Sequence, residues 1–280
     1  MDEDIGFDHG AVAGIRYIEA PAMLFCHFAH QVYGHWLMDC LPAILRLRRE
    51  LLASGRRLLA PRLLPWQRAS LERIGLGSLV EEIDDELVLA RDLLFPSHID
   101  TSAAGAPSAT IAETFAALAA GCPATHAQEP RLVYVSRQNQ GPKRKMINED
   151  ALVAALEGIG YRAARPERLS LDDQIGLFAS AAAVIGPHGS GLANIGFCRP
   201  GCLVVDLLLS SVPDPWICRL SAVLGQSYAY HISRSEPMTR LDEGGNRVSN
   251  LSAQYSVDIG AVLALAAAVK QRVKEVHSRH

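Results

Sequence analysis

Three short stretches carry side chains whose types and spacing could do chemistry. The first is basic: Arg137, Lys143, Arg144 and Lys145 stand close together with no acid among them. They follow a strand-like run, Leu132–Val135, and precede a helix-like one, Asn148–Ile159, a position where α/β folds collect ligand contacts. Arginine offers a planar fork matched to phosphate oxygens, and lysine adds a compact charge. A charge run of this kind also occurs as a plain solvated turn. The second stretch favours the ligand reading. Ala183-Val184-Ile185 has strand length, the small residues Gly186-Pro187-His188-Gly189-Ser190-Gly191 cut it off, and a helix-like Leu192-Ala193-Asn194-Ile195-Gly196-Phe197 follows. Strand, glycine turn and helix start together present free backbone N–H groups to an anion. Gly189 and Gly191 allow the backbone to come close to a ligand, with His188 and Ser190 at the rim and Asn194 in the following segment.

The third stretch is His35-Trp36-Leu37-Met38-Asp39. On a helix, residues four apart share a face, so an imidazole and a carboxylate would stand side by side. The carboxylate could take a proton from a hydroxyl, or orient and polarise the histidine. The bland alternative is an acid capping a kinked helix beside a core histidine. His27 and His30 raise a metal reading, but the spacing is not that of a His-Glu-x-x-His helix. Ser190 between two glycines suggests a nucleophile. The hydrolase elbow needs Gly-x-Ser-x-Gly, however, and those outer positions hold His188 and Leu192. Neither a Gly-x-Gly-x-x-Gly fingerprint at this turn nor a P-loop motif is present. Glu167, just after a strand-like run, is placed to accept ribose hydroxyls, or is simply a surface turn acid.

The elements that must position these residues are of α/β type. A formal net charge of −3 over 280 residues gives no basic field of the kind a duplex nucleic-acid binder needs, so no nucleic-acid partner is expected. The six cysteines include no Cys-x-x-Cys pair and read as reduced thiols, with Cys198 and Cys202 lacking further metal ligands nearby. The acidic start, Met1-Asp2-Glu3-Asp4, has no signal-peptide character, and no apolar run reaches the length of a membrane span. A cytoplasmic location is expected. Val32–Leu52 reads as helix, with a kink or restart near Asp39–Leu41 because of Pro42. Arg57–Ala60, Leu79–Ile83 and Glu86–Leu89 read as strands, and Ala109–Ala120 as a helix of small residues. Gly121–Pro130 is the best linker. Beyond it strands and helices alternate regularly, which predicts an open parallel sheet covered on both faces. Ser233–Ser249 reads as an exposed loop, and Val257–Val276 as a last helix.

Four pieces in order resemble glycosyltransferase family 61. They are Tyr33-Gly34-His35-Trp36-Leu37-Met38-Asp39-Cys40-Leu41-Pro42; Tyr134-Val135-Ser136-Arg137 with Arg144 and Ile147-Asn148-Glu149; Pro166-Glu167-x-Leu169-Ser170 with Gln174; and Gly186 through Asn194, leading to Phe197, Pro200-Gly201 and Asp206. Ser190 stands where many relatives carry Ala, and Asp206 where Glu is common. The resemblance implies a GT-B-like architecture of two Rossmann-like α/β domains facing across a cleft. An acceptor-side domain would occupy residues 1–125 and a nucleotide-sugar domain 126–256, with a helix over 257–280 crossing back to the first. It also implies an inverting transferase with a nucleotide-diphosphate sugar as donor and a glycan or other hydroxyl as acceptor, without an obligatory metal or other cofactor. Arg137, Lys143, Arg144 and the His188–Gly191 turn would then face the diphosphate, Glu167 the ribose, and Asp39 would be the base with His35 its partner. Bacterial relatives suggest surface polysaccharide synthesis, with peripheral association with membrane assembly machinery left open. The alternatives are a catalytically inactive nucleotide- or sugar-binding module of such an assembly, and a serine hydrolase using Ser190.

Overall fold

The computed structural model describes residues 15–26, 28–84, 87–96, 109–122, 131–138, 144–211, 214–235, 239–241, 247–249 and 254–278. Two compact units divide the chain, Met1–Thr101 and Ser102–His280.

In the first unit, β1 (Ile15–Ile18), β2 (Ala22–Leu24), β3 (Arg57–Ala60), β4 (Val80–Glu82), β5 (Leu87–Ala90) and β6 (Leu93–Leu94) all pair in parallel. They form a four-stranded sheet of order β4-β3-β2-β6 and a separate pair, β1-β5. The expected long helix is built in pieces: α1 (Tyr33–His35), a π-helical turn over Trp36–Cys40, α2 (Leu41–Arg46) and α3 (Arg48–Ser54). Pro42 is the cause. It has no N–H for the carbonyl of Met38, and its ring crowds that carbonyl. The backbone widens just before it, so that the Leu41 N–H reaches back to the Trp36 carbonyl, five residues away. The buried Trp36 anchors this turn, meeting Phe25 and Trp66 edge-on and donating its indole N–H to Ser70 Oγ at 2.9 Å. Ser70 lies on α4 (Pro65–Arg73), which starts on a proline and on a Gln67 side chain that accepts the Leu64 N–H at 2.8 Å.

The second unit begins with α5 (Ala109–Ala119). Its main strands are β7 (Arg131–Val135), β9 (Arg162–Ala164), β10 (Ala181–Pro187), β11 (Leu203–Leu209) and β12 (Ser227–Ser233), with the short β8 (Lys145–Met146) between the first two. The five main strands form one parallel sheet of order β12-β11-β10-β7-β9. From β7 the chain steps outward to β9, then returns to β10 on the other side of β7. That is the doubly wound 2-1-3-4-5 order, with its reversal between β7 and β10. The helices α6 (Glu149–Gly158), α7 (Leu171–Ala179), α8 (Trp216–Val223) and α9 (Ile259–His277) complete the alternation. Ser170 caps α7 as its sequence predicts, its Oγ accepting the Asp173 N–H at 3.1 Å. Within the expected loop 233–249, the described residues form a hairpin of β13 (Thr239–Leu241) and β14 (Arg247–Ser249).

Two sequence expectations about domain limits are corrected. The boundary was placed after the small-residue helix, at 125/126, but α5 belongs with the second unit. Phe115 of α5 meets Phe197 edge-on, ring centroids 5.0 Å apart, and Gly196 is bare because that phenyl ring lies where its Cβ would be. The last helix was expected on the first domain, yet its buried face is spent on the second unit. Val262, Ala266, Val269 and Val273 share a core with Leu152 and Leu156 of α6 and with Ile185 and Leu207 of the sheet. Tyr161 Oη donating to the Ala266 carbonyl at 3.0 Å, and Lys270 Nζ to that of Ile159 at 2.6 Å, tie it down at the polar margin.

Candidate functional site

In open parallel sheets, ligands bind beyond the carboxyl ends of the strands where the strand order reverses. Here that point lies between Ser136-Arg137, leaving β7, and Gly186–Gly191, leaving β10. Glycines draw the two strand ends together. A Cβ on Gly186 would meet the Val135 side chain at 2.9 Å and its carbonyl at 3.1 Å, and one on Gly191 would meet Val135 Cγ1 at 3.0 Å. Gly189, at φ 151° and ψ −177°, adopts a conformation open in practice to glycine alone. The Arg137 guanidinium lies directly over its Cα, with Nη2 of Arg144 3.6 Å from where a Cβ would stand. The three glycines thus serve approach by the protein's own β7 and Arg137 as well as by any ligand. Arg137, Arg144 and the glycine turn come together as their residue types suggest; Lys143 lies outside the described residues.

The electrostatics of this cluster call for an anion. Burial first, and then the neighbouring Arg137 charge, push the Arg144 guanidinium below its ordinary value. Its Nε is buried without a hydrogen-bond partner among the described residues, and Arg144 holds a left-handed φ of 57°. Neither arginine makes an ion pair with a carboxylate among the described residues. Two close cations without counter-ions are costly unless a ligand neutralises them.

Residues that sequence reasoning did not single out hold this arrangement. Glu149, buried at the first turn of α6, accepts the Arg137 N–H at 2.7 Å and the Tyr134 hydroxyl at 3.1 Å. Burial and that carboxylate raise the Tyr134 phenol well above its usual range. Behind Arg144, β8 pairs with β15 (Gln254–Tyr255), and Asn148 binds both main-chain groups of Val257, its Nδ2 to the carbonyl at 2.8 Å and its Oδ1 to the N–H at 3.1 Å. A two-residue strand and an asparagine give little advance signal. Glu149 was visible only as part of a motif.

His188 was expected at the rim, and the structure corrects this. The residue is 4% exposed, with Nδ1 2.9 Å from Asp206 Oδ2 and Nε2 accepting the Trp216 indole N–H at 3.0 Å. With both ring nitrogens engaged, the imidazole cannot serve as a base for Ser190. Asn194 is likewise buried and closes the turn from inside, donating Nδ2–H to the Gly191 carbonyl at 3.1 Å. Ser190 and Gly191 remain partly exposed at the start of a 3-10 segment, Ser190–Phe197. Glu167 is exposed in a turn beyond β9, the strand beside β7.

In the first unit, His35 and Asp39 stand together as their spacing predicts, Nδ1 to Oδ2 at 2.7 Å. The histidine side chain is 33% exposed and the aspartate 6%. An imidazole N–H given to a buried carboxylate leaves Nε2 as the proton-accepting atom. His27 lies outside the described residues. Among those described, no three His, Cys, Asp or Glu side chains stand together as a metal cluster.

Fold and site together define a doubly wound α/β unit with a dibasic anion turn at its strand-order reversal, in a chain that also carries a His–Asp pair. The family model of Glycosyltransferase 61 matches residues 33–205, and the chain belongs to that family. Over 85 residues it is 35% identical to the beta-1,2-xylosyltransferase XYXT1 of Oryza sativa subsp. japonica, a match covering 29% of this chain and 17% of the rice protein. Among solved structures it is similar to the bacterial iron-containing dodecameric glycosyltransferase TibC from enterotoxigenic E. coli H10407, at a TM-score of 0.37 and 12% identity, covering 71% of this chain and 61% of that one.

Proposed function

We propose that the protein is an inverting glycosyltransferase that moves a sugar from a nucleotide-diphosphate donor to a hydroxyl of a glycan or other acceptor, without an obligatory metal, in surface polysaccharide synthesis. The observation that carries this reading is the convergence of Arg137 and Arg144 on Gly189 at the strand-order reversal. Inversion is one in-line displacement at the anomeric carbon. The acceptor oxygen forms its bond as the bond to the β-phosphate oxygen breaks, and the departing diphosphate gains negative charge. Two guanidiniums and the N–H groups of the turn are suited to meet that charge. Glu167 is assigned to the ribose. The second unit is taken as the nucleotide side and the first as the acceptor side of a GT-B-like arrangement. The acceptor proton goes to the His35–Asp39 pair. Their exposures favour His35 Nε2 as the atom that receives it, with Asp39 orienting the ring, over Asp39 as the direct base.

The test is transfer and donor hydrolysis over a panel of nucleotide sugars with EDTA present, alongside thermal shift with the matching nucleoside diphosphates. Turnover that persists in EDTA, with stabilisation by one diphosphate, is expected. A protein stabilised by no nucleoside diphosphate would sink the donor assignment. Binding without any turnover would leave an inactive module.

A further inference from the structure

The hydrogen bonds behind the glycine turn run in one direction only. Trp216, on the first turn of α8, gives its indole N–H to His188 Nε2 at 3.0 Å. An indole nitrogen cannot accept in return, so Nε2 must hold the lone pair and the ring proton sits on Nδ1. That proton goes to Asp206 Oδ2 at 2.9 Å, and the Tyr228 hydroxyl donates to the same oxygen at 3.2 Å. The side chains of His188 and Asp206 are 2% and 0% exposed. The main-chain N–H of His188 donates to the Leu207 carbonyl at 3.1 Å. The residue just before Gly189 is therefore pinned to β11 through its backbone and through its ring. Asp206, Trp216 and Tyr228 all lie beyond the last residue that the family model matches.

We propose that Trp216 and Asp206, supported by Tyr228, are positioning residues for the donor-phosphate turn: they hold His188 as the neutral Nδ1–H tautomer and so fix how Gly189–Gly191 face Arg137 and Arg144. The proposal rests on the reading of that turn as the diphosphate site. A second ring proton would set an N–H of His188 against the N–H of Trp216, and the turn could keep its place only by breaking that contact. The ionisable groups facing the ring and its turn are Asp206 from β11, Tyr228 from β12, and Arg137 and Arg144 from the β7 side. With phenylalanine at 216 an aromatic ring stays but the donor to Nε2 is gone, and of the two partners of the imidazole only Asp206 remains.

The experiment uses the full chain with 15N-labelled histidine. The parent's His188 is expected to carry its proton on Nδ1 and a hydrogen-bonded lone pair on Nε2, whereas Trp216→Phe loses the hydrogen-bond signature at Nε2. Loss of this one hydrogen bond should raise the donor KM about tenfold while kcat stays within about twofold. Asp206→Asn, whose amide oxygen still accepts from Nδ1–H, should keep the parent's tautomer and donor KM. A ring proton on Nε2 of the parent's His188, or an unchanged donor KM in a Trp216→Phe protein that has lost the Nε2 signature, overturns the positioning role alone. A parent that shows the expected tautomer but binds no nucleoside diphosphate overturns it together with the donor reading.

Discussion

His35 and Asp39 meet because four residues of helical backbone put them side by side, whereas Arg137, Arg144 and Gly189 meet only because a sheet reverses its strand order. The first pair is local, 2.7 Å apart on consecutive turns, with a single proline shaping the helix around it. The second group draws on the ends of two strands, on a left-handed arginine and on glycines cleared for neighbouring atoms. The contrast separates what each region can do. A local His–Asp pair is suited to moving a proton, which needs one short contact. A diphosphate, spread over several oxygens, needs donors gathered from distant parts of the chain.

Five measurements would break or sharpen that comparison. His35→Ala should lower kcat by about two to four orders of magnitude, the usual worth of a positioned base, with nucleotide affinity unchanged by calorimetry. A matching loss of affinity would mean that the two regions are not separate in function. Arg137→Ala should do the reverse, weakening diphosphate binding by about 2–4 kcal/mol, since it strips a charged partner from a partly buried anion site. Gly196→Val drives a branched side chain into the Phe115 ring. It should cost about 2 kcal/mol or more, a drop of roughly 4–8 °C in Tm, and an unshifted melting curve would show that α5 is not part of the second unit's core. Gly189→Ala forces the Arg137 guanidinium aside and strains a glycine conformation. A donor KM raised about tenfold is expected, with a stability loss of about 1 kcal/mol. The smallest effect has the opposite sign. Arg144→Gln removes a cation that burial and Arg137 disfavour, so the ligand-free protein should gain about 1 kcal/mol, or roughly 2–4 °C, while losing its thermal shift with nucleotide. A destabilised variant would show that Arg144 is compensated by contacts other than a ligand.

The same contrast governs how far the residues could be read before the structure. The sheet of the second unit was legible because its strands are apolar runs separated by helix-period segments, and the cap of α7 because Ser170 and Asp173 are three apart. The His35–Asp39 pair was legible for a similar reason, since spacing along one helix is geometry. The convergence of the basic stretch with the glycine turn followed from shared membership of one sheet. What did not follow was the set of partners. Phe115 and Phe197 are far apart in the chain, so a helix of small residues looked like the edge of a linker and not like a layer over the sheet. His188 reads as a rim residue until Trp216 and Asp206 are placed around it. One signal was available there. Asp206 interrupts Leu203–Leu209, an otherwise apolar strand, and a carboxylate in such a run must find a donor. The histidine that directly follows the neighbouring strand β10 was the natural candidate. For Trp216 the sequence offers no comparable cue, and Glu149 is marked only by the motif in which it stands.

The seam at Asn148 and Val257 has a consequence in time as well as in space. The two residues are 109 positions apart, and the pairing of β15 with β8 beside Arg144 depends on the same late segment. A nascent chain therefore exposes Arg137, Arg144 and the glycine turn well before the strand that braces them has been synthesised. Folding of the first unit can proceed during that interval, but the anion site cannot be finished until the late segment docks. Binding competence should thus arrive last and abruptly, as a property of the closed seam and not of the sheet alone.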